Sequence, residues 1–183
     1  MAIRLVSDMS NVVPFPGGQP ERPSIEVVAR LAPSRSLVDT LIAERGLAFH
    51  DARAGMAREM VYQARAVEQG HGRDETIIRL RGLVDAHIAH AVEICRAYQD
   101  AADRLVRREV EVAQAGRVQA HVRMRVAAAR DEVHGRAIAA RIAADAAQGA
   151  AAALAAYIRE GLGGLAVSDA EPRQLLLFAA AAN

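Results

Sequence analysis

His87 and His90 stand three residues apart, a spacing that sets two imidazoles on one side of a helix, close enough to share a metal ion. A third ligand is what the sequence fails to offer. Glu93 is displaced around the helix, and the Glu-x-x-His signature of carboxylate-bridged di-iron proteins does not occur. His87 falls at the edge of an apolar stripe, where a histidine usually makes one hydrogen bond and binds nothing. Cys95 lies within that stripe, between Ala91 and Tyr98. Burial raises a thiol's pKa and keeps it unreactive, so a core cysteine is expected and a nucleophile is not.

The remaining catalytic inventory is short. Asp74-Glu75 and Asp131-Glu132 are neighbours in sequence, so on a helix they diverge and cannot clamp one substrate bond. Gly161-Leu-Gly-Gly164 lacks the strand before it and the helix after it that a phosphate-cradling loop requires. No Gly-x-Ser-x-Gly elbow occurs. All 23 basic residues are arginine, which excludes a Schiff-base lysine, a lysine general base and the phosphate-loop lysine. One cysteine excludes an internal disulfide and any multi-cysteine metal site. The expected protein is therefore not an enzyme and takes no cofactor or metal.

Arginine is concentrated rather than spread. Residues 103–141 hold nine Arg against Asp103, Glu109, Glu111, Asp131 and Glu132, a local excess of four positive charges in a chain whose net charge is +1. Between residues 117 and 130 stand four Arg and His121 with no acid. Guanidinium groups at this density can take phosphates bidentately, so Arg117, Arg123, Arg125 and Arg130 are candidate nucleic-acid contacts. Arg117 and Arg125 project to one side of their helix and Arg123 and Arg130 to the other. That arrangement also arises when charge merely solubilises a packed helix, and nucleic acid is not the leading expectation.

The elements that must carry these residues follow from proline. Pro14, Pro16, Pro20, Pro23 and Pro33 precede a proline-free stretch that lasts until Pro172. Apolar residues at 3.6 spacing predict helices over about 36–69, 75–114 and 117–162. Ser34 or Ser36 is expected to cap the first and Asp74 the second, with Gly70-His71-Gly72 and Gly116 as breaks. Residues 117–126 also alternate like a strand. The stripe Val122, Val126, Ala129, Val133, Ala140, Ala144, Ala147, Ala151, Leu154, Ile158, Leu162 favours a helix, tolerating Gly135 and Gly149 at about 1 kcal/mol each. The expected fold is all-α, an elongated antiparallel three-helix bundle or hairpin over 34–165. A Pro-rich leader over 1–33 and an apolar tail over 166–183 flank it.

That tail holds Gln174-Leu175-Leu176-Leu177-Phe178 after Pro172-Arg173. It resembles the bacterial sliding-clamp-binding motif, Gln-Leu-x-Leu-Phe, of polymerases and repair factors that dock on the replication clamp. The resemblance covers five of 183 residues. It implies Gln174 as polar anchor, Leu175 as a supporting contact, and Leu177 with Phe178 in the clamp's apolar pocket. Leu176 departs from the Ser or Asp usual at the middle position. Independently of any family, four large apolar residues in a row are costly unless they dock somewhere.

Arg4 is not followed by an apolar run of signal-peptide length, and residues 149–158 are too few to cross a bilayer. The expectation is a cytoplasmic, non-enzymatic interaction protein, an accessory factor of replication or repair tethered to the clamp. The alternatives are a coiled-coil or bundle protein whose tail seals a homo-oligomer or larger assembly, and an Arg-rich DNA-binding helical protein.

Overall fold

The computed structural model describes residues 23–45, 48–115 and 119–165. They form five helices, α1 (Ile25–Leu31), α2 (Arg35–Arg45), α3 (Ala48–His71), α4 (Arg73–Gln114) and α5 (Ala120–Glu160), closed by a 3₁₀ turn over Gly161–Leu165. No strand occurs among the described residues, so the all-α class holds.

The N-terminal side departs from expectation. Residues 25–31, assigned from sequence to the Pro-rich leader, are helical. Pro23 and Pro33 bracket the helix rather than forbid it. Ser24 caps it by accepting from the Val27 amide at 3.4 Å, and Val28 is fully buried. The single helix expected over 36–69 is two helices, which enter different core clusters although both contact α5. Leu41 of α2 is buried against Ala137 and Ile138 of α5, whereas Met56, Met60 and Ala64 of α3 enter the core shared by α4 and α5. Gly46, the residue of lowest helix propensity here, falls between them. Ser34, not Ser36, caps α2, accepting from the Leu37 amide at 3.4 Å.

Asp74 does not cap α4. Gly72 occupies that position with φ 81°, and the chain passes from α3 into α4 through this one residue. Only glycine adopts that conformation without strain, which makes so short a connection possible. Asp74 and Glu75 then lie in the first turn, where the helix dipole favours negative charge.

α4 and α5, with 42 and 41 residues, are each about 60 Å long. They run antiparallel, as two cross-links show: Arg104 pairs with Glu132 and Arg130 with Glu109. At their other end Arg73 donates to the Ile158 carbonyl. α3, at 24 residues, flanks only part of this length. Among the described residues neither core cluster includes one between 102 and 136, so there α4 and α5 form a two-helix arm.

The 3₁₀ turn packs closely on the end of α5. A Cβ on Gly164 would lie 2.5 Å from the Ala156 carbonyl oxygen, whereas one on Gly163 meets nothing within 4 Å. Gly164→Ala is expected to destabilise by about 1–3 kcal/mol, because backbone atoms must shift to admit the methyl. Gly163→Ala should stay within about 0.5 kcal/mol of the unsubstituted protein. Chemical unfolding of the pair checks this, and equal stabilities would refute the close contact.

Candidate anion-binding cleft

On α4 the run from Arg104 to Glu111 places Arg104, Arg107, Arg108 and Glu111 at spacings of three and four, so their side chains gather on one side of the helix. On α5, Arg125 lies beside Val122 and Val126, which are four apart. Antiparallel packing of the arm brings the two sets together. Arg104, Arg107, Arg108 and Arg125 line a cleft of about 280 Å³ together with Glu111, Val122 and Val126.

The guanidinium groups differ in their commitments. Arg104 donates to Glu132 at 3.0 Å, and Arg136 donates to the same carboxylate oxygen at 2.9 Å. The hydrogen bond from Arg136 is the first cause holding the Glu132 carboxyl below its ordinary pKa, with Arg104 acting the same way against a desolvation that raises it. Arg107, Arg108 and Arg125 have no carboxylate within ion-pairing distance among the described residues. The cleft therefore carries unneutralised positive charge, with planar donors suited to an oxyanion.

The candidates named from sequence separate. Arg125 lines the cleft. Arg123 is exposed, and at 100° per residue it projects about 160° away from Arg125. Arg130 is held by Glu109, through Nε at 2.9 Å and Nη2 at 2.7 Å. Arg117, and Gln174, Leu175, Leu177 and Phe178 of the tail, lie outside the described residues. Arg104, Arg107 and Arg108 were counted in the sequence as charge but not singled out. The signal that finds them is the i, i+3, i+4 grouping on α4, combined with folding of the two helices back on each other.

No group of three or more His, Cys, Asp or Glu able to hold a metal occurs among the described residues. The half-buried His87 has its pKa lowered, chiefly by burial and slightly by His90, while Glu59 opposes the shift. Its Nε2 has no hydrogen-bond partner. Cys95 is fully buried, and desolvation pushes its thiol pKa up, so the protonated form prevails at neutral pH. Sequence reasoning does not single out Asp145 as an inward-facing carboxylate. It is buried on α5, with Arg141 donating to Oδ1 at 2.7 Å and Arg35 of α2 at 3.8 Å from Oδ2.

No helix among the described residues is long and apolar enough to cross a membrane. No protein-family profile, curated protein or solved structure matches the chain.

Proposed function

We propose that this chain is a non-enzymatic helical interaction protein that docks on the bacterial sliding clamp through its C-terminal peptide, as an accessory factor of DNA replication or repair. The observation that carries the reading is the pentapeptide Gln174-Leu175-Leu176-Leu177-Phe178, a polar anchor followed by apolar residues at the positions a clamp pocket fills. It begins nine residues after Leu165, the last described residue of the helical body. Nine residues span at most about 30 Å when extended, so the peptide would hold the body within that distance of its docking site. Recognition through a short apolar peptide needs no catalytic group from the helices, only that they position a second surface.

A labelled peptide of residues 171–183 should bind purified sliding clamp saturably at micromolar strength. The Gln174→Ala/Phe178→Ala peptide should not bind, and the same two changes in the full chain should abolish co-elution with the clamp. Equal binding of both peptides, or none by either, refutes the reading. A fall in oligomer mass in Leu177→Ser/Phe178→Ser would favour a self-assembling helical protein instead.

A further inference from the structure

We infer that the arginine cleft of the α4–α5 arm is a docking site for the phosphodiester backbone of duplex DNA. The inference does not depend on the C-terminal peptide. It rests on the convergence of Arg107, Arg108 and Arg125 from two helices with no carboxylate pairing any of them among the described residues. Guanidinium groups brought together unpaired repel one another. A ligand with several oxyanions relieves that repulsion and forms charge-assisted hydrogen bonds. On the same arm Glu132 pairs with Arg104 and Arg136, and Glu109 with Arg130, while the exposed Arg123 has no ion pair among the described residues. The cleft is where three unpaired arginines stand together, beside the paired Arg104.

The chemistry around the charge selects the kind of phosphate. Small-molecule sites are mostly apolar cavities of roughly 300–1,000 Å³ with polar groups that orient the ligand. This cleft, about 280 Å³, is lined by four arginines, Glu111 and two valines, and presents no hydroxyl or amide side chain for orientation. Single-stranded nucleic acid is gripped by aromatic platforms on which its bases stack. Among the described residues none lines the cleft: Phe49 and Tyr157 are buried, Tyr98 packs against the cluster of Leu41, Ala137 and Ile138, and Tyr62 is on α3. No amide side chain lines the cleft to read an adenine edge, and arginine, which can read guanine, serves phosphate equally well. What remains is contact led by the phosphate backbone, which a duplex offers. Glu111 opposes it, since a carboxylate on the cleft wall repels phosphate.

The test is fluorescence anisotropy of a labelled 25-base-pair duplex with the full-length protein. Three phosphate contacts imply a logarithmic salt slope of about −2.7, or about a 40-fold loss of affinity between 50 and 200 mM salt. Arg107→Glu/Arg125→Glu should abolish binding. Arg58→Glu/Arg65→Glu, an equal charge change on exposed positions of α3, should alter Kd by less than about threefold. Glu111→Gln should bind several-fold tighter while keeping native helicity, which tests the cleft through a variant that adds no like charge. Gln174→Ala/Phe178→Ala should bind the duplex as the unsubstituted chain does, so loss of clamp docking and loss of duplex binding are separately visible. The inference is overturned if the duplex fails to bind at 50 mM salt, or if the two double variants weaken binding equally. It is also overturned if single strands of the same length, or phosphatidylserine vesicles, bind in preference to the duplex.

Discussion

Asp145→Ala is expected to lower stability by about 3–5 kcal/mol, the cost of removing one partner from a buried ion pair. Asp145 is 4% exposed and Arg141, which donates to it at 2.7 Å, is 11% exposed. Without the carboxylate, the largely buried Arg141 guanidinium loses the one countercharge that pairs with it among the described residues, and its Nε already lacks a hydrogen-bond partner. Arg35, 62% exposed and 3.8 Å away, contributes only a screened attraction to the pair. Replacing both partners removes the desolvation problem together with the attraction. Arg141→Leu/Asp145→Leu is therefore expected to be far less harmful than Asp145→Ala, neutral or stabilising by up to about 4 kcal/mol. Urea unfolding followed at 222 nm measures both. An Asp145→Ala variant within half a kcal/mol of the unsubstituted protein would refute the buried pair.

Tyr157→Ala should cost about 3–5 kcal/mol, in the range for emptying a buried aromatic site, while Ile158→Ala should cost less than about 1 kcal/mol. Tyr157 is fully buried and Ile158 is 41% exposed, although the two are neighbours. The Tyr157 side chain belongs to the main core with Leu80 and Leu165, its hydroxyl near Thr76 and Glu68. Burial is the first cause raising its phenol pKa. The sequence stripe selects Ile158 instead, so parallel unfolding of the two variants decides between periodicity and packing. Equal losses, or a larger loss at Ile158, would refute the packing described.

The reason periodicity chose the wrong neighbour is alanine. On α4 the larger apolar residues Leu80, Val84 and Ile88 mark one inward face, and the structure buries them. On α5 residues 143–147 are all buried, because α1, α2, α3 and α4 all contact that helix. A segment covered on several sides has no single face to follow, and alanine suits all of them. Asp145 was invisible for the same reason, since only the approach of Arg141 and Arg35 makes an inward carboxylate tolerable there. The one-residue connection at Gly72 was legible as a break but not as a cap, because its positive φ depends on how closely α3 and α4 return on each other. The arginine excess over 103–141 was legible as charge. Its division into neutralised and open guanidinium groups was not, because that depends on which residues α4 and α5 set opposite one another. Glu109 meets Arg130 and Glu132 meets Arg104, while Arg107, Arg108 and Arg125 face the cleft.

The two-helix arm has a consequence for how the protein breathes. Between residues 102 and 136 only Val126 and Ala129 are buried among the described residues, so separating the helices there exposes little apolar surface. The amides of that segment should exchange with solvent through partial opening, well before those of the core around Met60, Leu80 and Tyr157. A molecule seated on the arginines opposes that opening by RT ln(1 + [L]/Kd) and leaves the core's own opening unaltered. Occupancy of the cleft is thus written into one stretch of chain, as a slowing of proton exchange that stops where the third helix begins to cover the other two.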